Sequence, residues 1–102
     1  MMPAYFWVRA QVDPSVRDAF DRWYQEEHLP DALASFKAKR AWRGWSAVEP
    51  AVHYACYEFE NMAAAQAIVG SDGLKRLVAD FDRTWGAKVT RSRDFIDTVQ
   101  AI

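Results

Sequence analysis

The segment from Asp21 to Pro30 carries the side chains of this chain that are best suited to proton transfer. An unperturbed histidine titrates near pH ~6.5, so His28 can accept or donate a proton at neutral pH. Helical spacing places Tyr24 one turn before His28, and Glu27 is its neighbour in sequence. Tyr24, Glu27 and Tyr57 are candidates for orienting the imidazole or polarising a carbonyl group. We therefore interpret His28 and Tyr57 as candidate catalytic residues.

A second interpretation gives His28 no chemical role. The residue before a proline is pushed away from helical geometry, so Pro30 is predicted to end the helix, with His28 and Leu29 at its C-terminal end. The helix dipole would favour a protonated imidazole at that position. His28 would then cap backbone carbonyl groups or hydrogen-bond a partner. The sequence leaves both interpretations open.

The aromatic residues provide the candidates for ligand binding. They make up 15% of the sequence and include five tryptophans. In a small domain this composition indicates either a large protein interface or a ligand cavity with aromatic walls, and dimerisation is the simpler explanation. If there is a cavity, its candidate ligand-binding residues are Trp7, Trp23, Tyr24, Glu27 and Trp45.

The residue inventory excludes several classes of function. The charges nearly cancel, with 13 lysines and arginines against 14 aspartates and glutamates, so we expect no nucleic-acid partner. The two histidines lack the spacing of a metal site, and there is no glycine-rich phosphate loop, so we expect neither a metal nor another cofactor. The single cysteine, Cys56, permits no internal disulfide and lies on the opposite strand face from His53, which argues against a cysteine nucleophile.

The sequence also predicts the cellular location. The apolar run that ends at Arg9 has only about seven residues, which is too short for a secretion signal. No stretch approaches the ~18 apolar residues of a membrane span. A lone cysteine fits a reducing compartment. We therefore expect a cytoplasmic protein that has no membrane partner.

The hydrophobic pattern predicts four strands and the helices between them, in the order βαββαβ. The predicted strands are Tyr5 to Val12, Ala41 to Val48, Val52 to Phe59 and Thr90 to Val99. One helix follows Asp13-Pro14, a second runs from the Asn61 cap through Ile68, and a third starts at Ser71 or Asp72. The apolar stripe of the last helix is predicted to lie in the core, and it consists of Leu74, Leu77, Val78, Phe81 and Trp85.

This order predicts an α+β, ferredoxin-like fold, in which a four-stranded antiparallel sheet carries its helices on one face. We expect residues 1–102 to form a single domain. The strands have large apolar side chains on both faces, so the face without helices would expose too large an apolar patch to water. A homodimer through the sheets is therefore predicted.

Element order, chain length and the segment Trp23-Tyr24-Gln25-Glu26-Glu27-His28-Leu29-Pro30 resemble the dimeric α+β barrel superfamily, and above all its EthD-like branch. In the EthD-like pattern a histidine follows the acidic end of the first helix and precedes a proline, as His28 precedes Pro30. The resemblance implies protomers paired through their sheets, each holding a small aromatic or polyketide-like ligand in a cleft between sheet and helices. The later histidine of the polyketide cyclases is not matched, because His53 stands near the start of the third strand.

Two functions follow from the residues and the resemblance. The first is a small cofactor-independent lyase, isomerase, cyclase or oxygenase that acts on a hydrophobic carbonyl or phenolic compound with His28 as acid or base. The second is a non-catalytic, EthD-like module that binds such a molecule or assists a degradative oxygenase. A purely structural dimer is a third possibility, because one fold hosts many functions.

Overall fold

The computed structural model describes residues 2–102. Its strands are β1 (Ala4–Val12), β2 (Arg40–Trp45), β3 (Val52–Phe59) and β4 (Val89–Asp97). Its α-helices are α1 (Arg17–Trp23), α2 (Leu29–Phe36), α3 (Met62–Gln66) and α4 (Asp72–Trp85). Short 3-10 turns occupy Pro14–Val16 and Gly86–Lys88, and a π-helical turn, Tyr24–His28, joins α1 to α2. None of the helices in residues 2–102 has the length and apolar character needed to cross a bilayer.

The sheet is antiparallel and has the strand order β2-β3-β1-β4. The predicted α+β, ferredoxin-like fold and its βαββαβ order are therefore confirmed. Strand β1 lies in the centre, where its inward side chains Phe6, Val8, Ala10 and Val12 are all buried. The alternation of apolar residues along β1 sets this arrangement, because every second side chain points to the helices. The bounds predicted for β3 agree with the structure.

The prediction that Pro30 ends the first helix is wrong. His28 and Leu29 both have right-handed helical backbone angles, and the helix continues as α2 to Phe36. In the π-helical turn the Leu29 N–H donates to the Tyr24 carbonyl, five residues earlier. A proline ring clashes with the carbonyl four positions before it in a regular α-helix, and the wider turn directly before Pro30 gives that ring room.

Helices α3 and α4 begin at the residues that the sequence indicates. The Asn61 side chain accepts from the Ala64 N–H at 2.8 Å, and the Ser71 hydroxyl accepts from the Leu74 N–H at 3.2 Å. These caps satisfy backbone donors that have no partner inside the helix. On α4, Leu77 and Phe81 are buried in the core, as predicted.

Three elements end earlier than predicted. Helix α3 stops at Gln66, and β4 stops at Asp97. Strand β2 stops at Trp45 instead of Val48 because the Ser46 hydroxyl accepts from the backbone N–H groups of Val48 and Glu49. A local side-chain bond of this kind competes with the strand ladder and turns the chain.

The sheet face away from the helices carries an aromatic cluster, which consists of Trp7, Trp42 and Tyr54. The Trp7 ring lies edge-on to Trp42 at 5.6 Å and to Tyr54 at 5.7 Å between centroids. Trp42 is 40% exposed. The protomer thus leaves large aromatic groups in contact with solvent on this outer face.

Candidate functional site

A small cavity lies between the sheet and the helices. Its volume is about 30 Å³, which gives room for about one or two water molecules. Apolar side chains from β1, α2 and α4 form most of its walls. The polar groups that line it are Tyr24, His28, Tyr57, Arg91 and Arg93. The cavity therefore joins an imidazole, two phenols and two guanidinium groups within an apolar wall.

The π-helical turn carries His28 to this cavity, where aromatic rings surround it. The imidazole stacks on the Trp23 indole with centroids 4.5 Å apart, and lies edge-on to Tyr24 at 4.8 Å and to Phe81 at 5.6 Å. Turns of this type widen the helix and often occur at functional sites. Only part of the imidazole remains accessible for a ligand.

The structure does not support a protonated His28 at the end of a helix. Burial, helped by the Arg91 guanidinium, lowers the pKa of His28 to about 4, although the carboxylates of Asp31 and Asp80 oppose the shift. The helix continues beyond His28, so no C-terminal dipole stabilises a charge there. His28 is therefore neutral at pH 7, and it can act as a base or as a hydrogen-bond acceptor.

Tyr24 and Tyr57 form a buried phenol pair in the cavity wall, and each is 1% exposed. Burial raises the pKa of Tyr24 to about 12, and it raises the pKa of Tyr57 well above its ordinary value. The contact between the two side chains lowers the pKa of Tyr24 and raises that of Tyr57, and each effect is smaller than that of burial. Both phenols stay neutral and keep their donor capacity at physiological pH.

The other candidate ligand-binding residues lie outside the cavity wall. Trp23 lies behind His28 and fixes its ring, whereas Glu27 is exposed on the solvent side of the helix. Trp7 lines a separate groove of about 250 Å³ on the outer face of the sheet. The Trp45 Nε1–H donates to the Asp21 carboxylate at 2.8 Å. Neighbouring residues in a helix or strand point to different faces, so Trp7, Trp23 and Glu27 lie outside the cavity wall that their neighbours in sequence line.

The second histidine, His53, belongs to a cluster of packed and hydrogen-bonded side chains near Trp45. His53 is 1% exposed, and burial first, then the Arg43 guanidinium, lowers its pKa to about 4. Its neutral Nε2 accepts from Arg43 Nη1 at 3.2 Å, and the same guanidinium nitrogen donates to the Asp21 carboxylate at 2.9 Å. These groups hold α1 against β2 and β3, and His53 does not line the cavity.

Sequence reasoning missed Arg91 as a site residue. Its side chain is 10% exposed, and its guanidinium carbon lies 3.8 Å from the Phe81 ring centroid. Nη2 lies 3.2 Å from the Asp82 carboxylate, while Nη1 is buried and meets no hydrogen-bond acceptor of residues 2–102. The signal was the alternation of β4, which places Arg91 on the same strand face as Phe95. An arginine on a core-facing position is a feature that packing alone does not favour.

Within residues 2–102, no three histidine, cysteine, aspartate or glutamate side chains are grouped so as to hold a metal ion. The single cysteine, Cys56, is buried, and burial raises the pKa of its thiol to about 11. A protonated thiol is a poor nucleophile and a poor metal ligand.

No protein-family model and no curated protein sequence matches the chain significantly. Solved structures do match it over nearly its whole length. An EthD family protein from Bacillus halodurans is 16% identical with a TM-score of 0.66, and the match covers 92% of this chain and 97% of that one. A variant of SnoaB, a cofactor-independent oxygenase from Streptomyces nogalater, is 13% identical with a TM-score of 0.65, covering 100% and 98%.

A third structure, described as a dimeric ferredoxin-like protein from an uncultured marine organism, is 12% identical. It has a TM-score of 0.63, and the match covers 100% of both chains. At these identities the likeness concerns the fold. The chain shares the ferredoxin-like fold of these solved structures, among them an EthD family protein, and in its fold it therefore agrees with the resemblance found in the sequence.

Proposed function

We propose that this protein binds a hydrophobic carbonyl or phenolic small molecule in the cavity between sheet and helices, and that His28 acts on it as a base. One observation carries the proposal: a neutral, partly accessible imidazole and a buried phenol pair line the same apolar cavity. Apolar cavities with a few convergent polar groups are typical of ligand sites. The fold likeness to a cofactor-independent oxygenase supports the same class of function.

The polar groups suit the removal of a proton next to a carbonyl or from a phenol. His28 is neutral at pH 7 and has a ring nitrogen that can take that proton. Because a pKa of about 4 makes it a weak base, the transfer depends on stabilisation of the anion that forms. The phenols of Tyr24 and Tyr57 remain protonated, so one of them can donate a hydrogen bond to the ligand oxygen as negative charge develops on it. Formation of an enolate or phenolate is a step that isomerases, cyclases, lyases and cofactor-independent oxygenases can share.

The cavity has to enlarge to admit such a ligand. Its volume of about 30 Å³ is far below the roughly 300 Å³ of small ligand pockets. Leu74 and Val78 of α4 line it and are only half-buried, whereas Leu77 and Phe81 of the same helix are buried in the core. Ligand binding is therefore proposed to move the Leu74 and Val78 side chains while Leu77 and Phe81 stay packed.

The small cavity also favours a second candidate function, that of a binding module without catalysis. A histidine fixed by stacking on Trp23 can recognise a hydroxyl group without removing its proton. The likeness to an EthD family protein supports this candidate too. Such a module would hold its ligand or present it to a degradative oxygenase.

We also propose a homodimer through the outer faces of the sheets. The aromatic cluster of Trp7, Trp42 and Tyr54 supports it, since large exposed aromatic patches mark interaction surfaces. The matching structure described as dimeric has the same fold. Pairing of the two sheets would cover this cluster and leave the helix-side cavity of each protomer free.

The test is a thermal-shift screen of small phenols and carbonyl compounds against the wild type, His28→Asn and His28→Ala. A binding histidine tolerates Asn better than Ala, whereas a base loses about 100-fold or more in rate with either variant. Incorporation of deuterium from D₂O into a bound carbonyl compound separates the two candidates, because only proton removal produces it. Equal binding of a hit to the wild type and both variants would contradict the site assignment.

A further inference from the structure

The cavity is lined by the positively charged side chain of Arg91, and one of its hydrogen-bond donors has no acceptor among residues 2–102. Arg91 has a side chain that is nine-tenths buried, and its Nη1 has no acceptor among residues 2–102. A buried donor without a partner costs free energy relative to one in water. Most guanidinium groups at this depth are fully paired. Nη1 therefore keeps the capacity to donate a hydrogen bond to an acceptor that reaches it.

The surroundings hold this guanidinium in place without neutralising it. Its central carbon lies 3.8 Å from the centroid of the Phe81 ring, which is a cation–π contact. Asp82, its ion-pair partner among residues 2–102, is 68% exposed. An exposed carboxylate is well solvated and contributes little to such a pair. The positive charge therefore remains available on the side of Nη1.

Arg91 and His28 line the same cavity, together with the phenol pair. The guanidinium lies close enough to His28 to disfavour its protonated form. A ligand that contacts the imidazole can therefore also reach the arginine. Arginine binds carboxylate and other anionic oxygens through short, charge-assisted hydrogen bonds.

We propose that Arg91 Nη1 binds an anionic oxygen of the hydrophobic ligand. This inference rests on the proposed function, because the same cavity must admit the ligand. The anionic oxygen has two chemical sources. It is either a carboxylate that the ligand already carries, or the phenolate or enolate oxygen that forms when His28 removes a proton.

The test compares two pairs of probes, each with one anionic and one neutral member. Benzoate is paired with benzamide, and 4-nitrophenol with 4-nitroanisole. The proteins are the wild type, Arg91→Met, which keeps an unbranched apolar side chain against Phe81, and Arg83→Gln as the control. Arg83 lies on the exposed side of α4 and pairs with Asp80, so its variant matches the loss of charge while it leaves the cavity intact.

The wild type and Arg83→Gln are expected to bind the anionic member of at least one pair more than about tenfold more tightly than its neutral partner. Arg91→Met should abolish that preference. If benzoate is preferred, the anionic oxygen bound by Arg91 is that of a carboxylate. If 4-nitrophenol is preferred, it is that of a phenolate. A phenolate is confirmed by the visible absorbance of the ionised probe, measured below the pKa of the free phenol. If Arg91→Met does not fold, Arg91→Lys replaces it, and it should keep the anion preference at reduced affinity.

Each other outcome overturns the inference. If neutral and anionic probes bind the wild type and Arg91→Met equally well, the anion site is wrong while the proposed binding function stands. If Arg91→Met lowers the thermal unfolding temperature strongly and keeps the ligand preference, Arg91 is a structural residue. If neither pair binds to the wild type, and the wider screen of phenols and carbonyl compounds is also negative, the inference and the proposed function both fail.

Discussion

The Trp23 indole stacks on the His28 imidazole, with ring centroids 4.5 Å apart and an angle of 19° between the planes. The stack covers one face of the imidazole and excludes water from it. Desolvation is the main reason why the pKa of His28 is lowered to about 4. The stacked Trp23 ring thus helps to keep His28, the candidate base, neutral.

Replacement of Trp23 should therefore change how His28 titrates. In Trp23→Ala the imidazole gains solvent, so its pKa should rise from about 4 towards the ordinary value of 6.5. NMR titration of the imidazole protons measures this shift. Trp45→Ala is the matched control, because Trp45 contacts His53 and not His28. An unchanged His28 pKa in Trp23→Ala would show that the stack does not cause the desolvation.

The lowered pKa values of both histidines predict how stability depends on pH. Each is lowered from 6.5 to about 4 in the folded protein, so the unfolded chain binds more protons between these values. The free energy of unfolding should be constant above about pH 6.5 and should fall as the pH decreases towards 4. Buried His53 should contribute on the order of 3 kcal/mol to this loss.

Urea unfolding at several pH values measures the effect. The His53→Gln variant should show a shallower dependence between pH 6.5 and 4, because one of the two titrating groups is gone. His28→Asn should reduce the slope in the same window. A slope equal to that of the wild type in both variants would assign the pH dependence to other groups.

Phe81 is expected to be a major contributor to stability. It is 3% exposed and contacts the rings of Phe20, Trp23 and His28. The change Phe81→Ala should cost about 3–5 kcal/mol, as truncation of a buried aromatic does. Chemical denaturation measures the loss, and a value below about 1 kcal/mol would contradict the placement of this helix face in the core.

The proposed dimer predicts the behaviour of the outer sheet face. Light scattering should show a stable dimer at micromolar concentration, with on the order of 2,000 Å² buried in total. Trp42→Asp should produce monomers, because it removes the most exposed ring of the aromatic cluster and places a charge there. Val48→Asp is the control, since Val48 is 87% exposed and follows the end of β2. A monomeric wild type would overturn the proposal.

The fold was predictable because local signals and hydrophobic period agree along most of the chain. The alternation of β3 gave its bounds, and Asn61 and Ser71 marked the starts of two helices. The helix around Pro30 was not predictable from the same rules. A proline normally ends a helix, but here the π-helical turn directly before Pro30 gives its ring room and the helix continues.

The candidate site was predictable only in part. The presence of Tyr24 and His28 on one helix surface followed from their spacing, and both line the cavity. The positions of Glu27, Trp7 and Trp45 depend on which face each element turns to the core, and they lie outside it. The volume of the cavity and the unpaired donor of Arg91 arise from tertiary packing, which no pattern of residue types determines.

The π-helical turn also sets the tolerance of this segment to changes in length. A regular α-helix advances about 100° per residue, so a residue added to or removed from it rotates everything downstream by that amount. The widened turn at Tyr24–His28 absorbs a surplus residue within the helix. Deletion of exposed Gln25 would remove this surplus residue and close the widened turn, so the Pro30 ring would clash with the carbonyl group four residues before it and the helix would kink or break between α1 and α2.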